Sequence, residues 1–159
     1  MLYQALKKIV SVVFNLFNLL LLGNLPPFGC VSVVVEENAQ FLVVELSNNK
    51  VVFPGGFMRW REHPAQAALR EGKEETGLML RTGSVIGYLT YASTQLTRMS
   101  TINIIYEGEV VGGTLRSSIE GRPFWLHESE LRDRLNQDNR VVLDAYLRYR
   151  SQQSQAKAY

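Results

Sequence analysis

The segment GFMRWREHPAQAALREGKEETGL, Gly56 to Leu78, carries the reading that decides the fold. Its second half has the marks of a helix with defined ends. Pro64 suits a first helical position, where its missing N–H costs nothing. His63 before it is the expected cap, and Gln66, three residues beyond His63, completes a capping box. Gly77 stops the helix, which is predicted to run from Pro64 to Thr76. Inside it Glu71, Glu74 and Glu75 are spaced i, i+3, i+4, so their carboxylates gather on one face. Like charges this close destabilise an isolated helix. On most helices such a cluster is simply a solvated acidic face with basic partners, and Arg70 and Glu62 offer ion pairs within the segment. The turn Pro54-Gly55-Gly56 shifts the reading. Glycine backbone can approach a phosphate or offer a carbonyl to a metal, and clustered carboxylates are the usual ligands of hard cations such as Mg²⁺.

Outward from this segment the chain reads as short strands and helices. Cys30 to Glu36 and Phe41 to Leu46 are valine-rich strands, and Ser47-Asn48-Asn49 is a turn into Val51-Val52-Phe53. Pro54-Gly55-Gly56 is expected to break that strand. Beyond Gly77, Ile86 to Tyr91, Thr101 to Val111 and Pro123 to His127 read as strands. Glu128 to Leu135 and Asn139 to Arg150 read as helices, the second with Val142, Ala145, Tyr146 and Tyr149 on one face. The predicted class is α/β (α+β), a sandwich of helices around a mixed sheet. Three segments are expected: a helix in residues 1–27, the sandwich domain in 28–150 and a polar, frayed tail in 151–159.

The first segment stands apart. Between Met1 and Leu25 the only charges are Lys7 and Lys8. Gln4, Lys8, Ser11, Asn15 and Asn18 follow one another at helical spacing and form a polar stripe, while the rest of the surface is apolar. Gly23 and Pro26-Pro27 end the helix. Four readings stand open. The amphipathic helix packs on its own domain or on a second subunit, as in a homodimer. It lies in a membrane surface through residues 1–25. It spans a bilayer, although its apolar run is short of the ~20 residues needed and two asparagines would lie in lipid. Or it is a signal peptide, although no small-x-small cleavage site follows.

Composition narrows the function. The 159 residues suit one domain with a sizeable core, and 46% hydrophobic with 20% charged residues exclude a disordered chain. A net charge of +2 without a basic run argues against a nucleic-acid surface. One cysteine, Cys30, excludes an internal disulfide and suits a reducing, cytoplasmic setting. Two histidines, His63 and His127, leave no room for a histidine-rich metal site; His127 is expected to be structural, at a strand end.

Gly56, Glu62, Arg70-Glu71, Glu74-Glu75, Gly77 and Leu78 together resemble the Nudix box, G-x5-E-x7-R-E-U-x-E-E-x-G-U, where U is a bulky apolar residue. Eight of its nine fixed positions agree over the 23 residues. Gly72 departs, standing where the family has an apolar side chain, at a cost of roughly 1 kcal/mol in a helix interior. From Phe28 to Arg150 the pattern of elements is similar to the family's αβα sandwich. The resemblance implies Mg²⁺-dependent (or Mn²⁺-dependent) hydrolysis of a diphosphate bond in a nucleoside diphosphate linked to another group. It implies Glu74 and Glu75 as main metal ligands, Glu71 as a third ligand or base, and the Gly55 carbonyl in the same shell. Arg70 would orient the glutamates, and Glu62 would tie loop to helix. A further general base often lies far from the box, and Glu120 is the candidate. Arg59, Trp60 and Arg61 are candidate substrate contacts, through phosphate and base stacking, or else an ordinary packed loop. Glu107 and Glu109 are expected on the solvent face of a strand.

No substrate is singled out. ADP-ribose hydrolases of the family tend to carry a proline some fifteen residues past the box, and none occurs here between Pro64 and Pro123. The features of the diadenosine-polyphosphate, coenzyme A and NADH subtypes are also missing. Nucleoside triphosphates, sugar nucleotides and other capped diphosphates remain, with a lipid-linked diphosphate suggested by the first helix alone. The alternative to an enzyme is a nucleotide sensor on the same fold, catalytically weak and membrane-associated.

Overall fold

Val33, Val34 and Val35 are each fully buried. Three consecutive strand residues can all be buried only if both faces of the sheet are covered. A computed structural model of the chain has that arrangement; it describes residues 2–47 and 49–156, and within the first helix the side chains of residue 5 and of residues 8 onward. A helix α1 (Leu2–Leu20) precedes four strands, β1 (Phe28–Glu37), β2 (Gln40–Leu46), β3 (Val51–Val52) and β4 (Gly55–Phe57). Helix α2 (Pro64–Thr76) leads to β5 (Leu78–Tyr91), β6 (Thr101–Gly113) and β7 (Gly121–His127), then to α3 (Glu128–Arg134) and α4 (Gln137–Ala156). The seven strands form one mixed sheet in the order β3-β2-β1-β6-β5, with β4 added on β1 and β7 on β2. Among the described strands only β1 and β6 pair in parallel with each other, from Phe28 opposite Thr101 to Val35 opposite Gly108.

Alternation along β1 sorts the core into two layers. Val31, Val33 and Val35 pack with Ala67 and Ala68 of α2 and with Leu78, Leu80 and Tyr106. Val34 faces the other way, into a layer with Phe41, Val43, Ile105, Leu131, Leu143 and Tyr146 under α3 and α4. The expected αβα sandwich is therefore present. Arg150 holds α4 to the sheet by bonding Glu36 and Glu128, and the Tyr146 hydroxyl donates to Glu36 at 2.7 Å.

Several expectations need correction. Pro54 does end the strand before it, which stops at Val52, but Gly55–Phe57 then forms a further strand of the sheet, with Val31 opposite Gly56 and Ser32 opposite Gly55. Two glycines give no alternating side-chain signal, so this strand has no pattern to read. β5 begins directly after Gly77, at Leu78 rather than at the expected Ile86. The segment from Ser151 is helical through Ala156 rather than frayed, and the remaining tail lies outside the described residues, as does Asn48 of the expected turn. Glu107 accepts a hydrogen bond from the Tyr149 hydroxyl at 2.9 Å and is half-buried, whereas Glu109 does face solvent, paired with Arg81.

Helix α1 is mounted with Ser11, Asn15 and Asn18 of its polar stripe inward, while Lys8 is exposed. Ser11 is 4% exposed, and the Asn15 amide donates at 2.8 Å to the carbonyls of both Leu96 and Arg98. Asn18 Oδ1 accepts from the Leu25 amide. Phe14 meets Phe28 edge-on at 4.4 Å between centroids. The apolar stripe faces out. Among the described residues no helix is long and apolar enough to cross a membrane.

Candidate active site

The site is built where β4 turns into α2. The β4 backbone lies against β1 so closely that a Cβ on Gly55 would stand 2.2 Å from the Val31 carbonyl oxygen. A Cβ on Gly56 would stand 2.6 Å from the Glu71 carboxylate. The two glycines therefore let the main chain touch β1 on one side and an acidic side chain on the other. The Gly55 amide donates to Glu75 Oε2 at 2.9 Å, which ties this strand to the last turn of α2.

Both ends of α2 are capped as its sequence predicts. His63 Nδ1 accepts from the Ala65 amide, Gln66 Oε1 accepts from the His63 amide, and Gly77 closes the helix in the left-handed region at φ 78°. His127 has the same local role at α3, accepting from the Ser129 amide. Gly72 has a packing reason. Its ideal Cβ would lie 2.4 Å from Leu80 Cδ1 and 3.8 Å from Val33 Cγ1, so Leu80 of β5 already fills the space that an apolar residue in the helix would take.

Arg70 organises the acidic face. Its guanidinium donates to Glu62 at 2.7 and 2.8 Å, to Glu71 at 2.7 Å, to Glu74 at 3.3 Å and to the Phe57 carbonyl at 3.0 Å. Glu62 also accepts from the Arg59 amide. The Arg70 hydrogen bonds hold the Glu62 carboxyl down at about 2, with the Arg59 contacts adding to the effect. Its partners in turn hold Arg70 firmly protonated. Glu71 goes the other way. Burial lifts its carboxyl above the usual range, Arg70 opposes this, and the charges of Glu74 and Glu120 add to the rise. Glu74 is half-exposed and pairs with Arg59 at 2.9 Å.

Two adjoining cavities meet here. One, of about 300 Å³, is lined by Gly55, Gly56, Arg59, Arg70, Glu71, Glu74 and Glu120. The other, about 440 Å³, has a mostly apolar wall including Phe53, Leu89, Tyr91 and Val142, with Ser32, Asn103, Asp138 and Asn139 among its polar groups. Cys30, Gly55, Gly56 and Glu120 line both. Glu75 faces the larger cavity rather than the acidic one. Trp60 and Arg61 line neither: Trp60 is 88% exposed, with the Arg61 guanidinium 5.8 Å from its ring centre. Of the three loop residues only Arg59 is brought to the acidic cavity. Sequence reading missed the larger cavity's polar residues, which come from β1, β6 and α4, and a lone Ser, Asn or Asp on each carries no local signal.

Among the described residues no three acidic, histidine or cysteine side chains are set as a formed metal cluster, and the Glu71 and Glu74 oxygens engage Arg70 and Arg59. The donor set nevertheless fits a hard divalent cation. It is all oxygen, and it includes the half-buried Glu71 carboxylate, whose charged form is disfavoured by burial and by two like neighbours, a state that a cation would relieve.

Comparison with known proteins agrees with this architecture. The NUDIX domain family model matches residues 26–146. An ADP-ribose pyrophosphatase of Methanocaldococcus jannaschii is 27% identical over 132 residues, covering 80% of this chain and 77% of that protein. A solved NUDIX hydrolase from Nitrosomonas europaea superposes with a TM-score of 0.68 at 21% identity, over 76% of this chain and 88% of its own. A MutT protein from Methanosarcina mazei Go1 does so with a TM-score of 0.66 at 23% identity, over 82% and 97%. The chain belongs to the Nudix family of pyrophosphohydrolases. Helix α1 precedes the matched region.

Proposed function

We propose that this protein hydrolyses a diphosphate bond in a nucleoside diphosphate linked to another group, with Mg²⁺ or Mn²⁺ as cofactor. One observation carries the reading: Glu71, Glu74 and Glu120 line a single glycine-walled cavity that opens into a larger, mostly apolar one. The larger volume, about 440 Å³, falls in the range of small-molecule sites, and apolar walls with a few polar groups suit a nucleoside.

Glu71, Glu74 and the Gly55 carbonyl would hold the cation, and Glu75, which faces the adjoining cavity and accepts from the Gly55 amide, would join them. When bound, it supplies neutralisation of phosphate charge and Lewis-acid polarisation of the scissile bond. Arg70 holds Glu71 and Glu74 in place through its fork of bonds and is a positioning residue. Glu62 anchors Arg70 and the Arg59 amide, so its role is structural. Arg59 can exchange its pairing with Glu74 for a substrate phosphate. Glu120, from the loop before β7, reaches both cavities and is the base we assign to the attacking water. Gly72 gives no support to a degenerate, non-catalytic site, since Leu80 accounts for it.

The substrate panel keeps ADP-ribose. The archaeal relative is named for it, while the missing proline after the box argues for another capped nucleotide. The test is a hydrolysis screen of purified protein against ADP-ribose, UDP-sugars, nucleoside triphosphates and dinucleotides, with Mg²⁺ or Mn²⁺ and with EDTA. Turnover of one class that EDTA abolishes is expected. Turnover unaffected by EDTA would remove the metal from the proposal, and a folded protein silent on every class would remove the substrate assignment.

A further inference from the structure

The outward face of α1 is an exposed apolar surface that the hydrolase reading does not use. Val13 is 62% exposed, Phe17 57%, Leu20 77% and Leu22 88%, with Ile9 and Leu19 beside them. Single exposed apolar residues need no account, but an exposed apolar face running from Ile9 to Leu22 exceeds what folded monomers ordinarily leave in water. The polar stripe cannot be the solvent face, because Ser11 and Asn15 are committed to the body of the protein.

We propose that α1 is an interfacial anchor that lies on an anionic lipid surface with this face in the acyl boundary. Two observations select lipid over a second copy of the chain. Leu19, Leu20, Leu21 and Leu22 are consecutive and all at least 41% exposed. The helix ends at Leu20, and Leu21 and Leu22 follow in a turn, Leu22 at φ 55°, so the four do not lie on one helical stripe, whereas the seam between two packed helices uses one stripe. A fluid phase can wrap all four. Charge agrees: residues 1–35 hold Lys7 and Lys8 and no acidic residue, which suits anionic headgroups. The anchor is also joined to the site. Phe14 packs on Phe28, and Phe28 packs on Phe57, which lines the acidic cavity. Docking would therefore bring that cavity close to the lipid surface.

The proposal does not depend on the hydrolase reading, and its test uses no substrate. The full chain is floated with vesicles of phosphatidylcholine and phosphatidylglycerol at 3:1, and with phosphatidylcholine alone, at physiological salt. Wild type should float with the mixed vesicles and partition at least about tenfold less onto phosphatidylcholine alone. Val13→Glu with Phe17→Glu should stay in the bottom fraction while keeping its circular dichroism spectrum, since both side chains point to solvent. Tyr88→Glu, which changes an exposed apolar residue of β5, should float like wild type. Failure of wild type to float, equal flotation on both vesicles, or flotation of the double variant would each overturn the proposal. So would a dimer in sedimentation velocity that the double variant splits, which would put a second copy on this face.

Discussion

Helices α1 and α2 each carry one polar stripe, and they are mounted opposite ways round. In α2 the small apolar face, Ala67 and Ala68, is fully buried against the sheet, and the acidic face lines a cavity. In α1 the Ser11–Asn15–Asn18 stripe faces the body and the apolar face looks outward. Periodicity defines two faces of a helix. Which one turns inward depends on what the neighbours offer. β1 offers α2 a wall of valines. The loop at 95–98 offers α1 backbone carbonyls that need donors, and Asn15 supplies them.

The comparison can be broken most sharply at α2. Glu74→Gln removes one charge from the polar stripe without touching the core. We expect the hydrolysis rate to fall at least ~100-fold, with stability within about 0.5 kcal/mol of wild type because the side chain is half-exposed. Steady-state kinetics beside a urea melt check both parts. Near-wild rates would mean that this stripe is only a solvated acidic face.

A smaller effect tests the inward face of α2. Gly72→Leu puts a side chain where Leu80 already sits, and overpacking should cost about 1–3 kcal/mol, partly offset by a gain in helix propensity of roughly 1 kcal/mol. The urea midpoint should fall. Adding Leu80→Ala should recover part of the loss, since the two positions share one space. If Gly72→Leu is as stable as wild type, the close contact with Leu80 does not govern this position.

The smallest effect concerns α1. Asn15→Ala removes two hydrogen bonds to the 95–98 loop, worth roughly 1 kcal/mol each. Local opening should make tryptic cleavage after Arg98 several-fold faster, with little change in the global melting temperature. Unchanged cleavage would show that the inward stripe of α1 does not hold this loop.

Much of the site was legible because its signals are local. The ends of α2 are written in His63, Pro64, Gln66 and Gly77, each acting on backbone within one turn. The spacing of Glu71, Glu74 and Glu75 gathers them along one side of α2, although Glu75 turns to the larger cavity while Glu71 and Glu74 line the acidic one. The valine runs announced β1 and β2, and the total burial of Val33 to Val35 follows from strand alternation once both faces are covered. Arg70 and Glu62 were legible as an available pair, although the sharing of Arg70 among three glutamates and the Phe57 carbonyl depends on how β4 meets α2.

The sequence alone thus determined the family, the sandwich class, the acidic helix and the amphipathic character of α1, all of which rest on neighbours a few residues apart. Only the tertiary structure decided which way α1 faces, that Gly55–Phe57 is a strand, that Leu80 stands in for a side chain at Gly72, and that Ser32, Asn103, Asp138 and Asn139 share one cavity beside Glu120. Each of these joins residues far apart in the chain. No spacing rule reaches across such separations, and packing alone selects the partners.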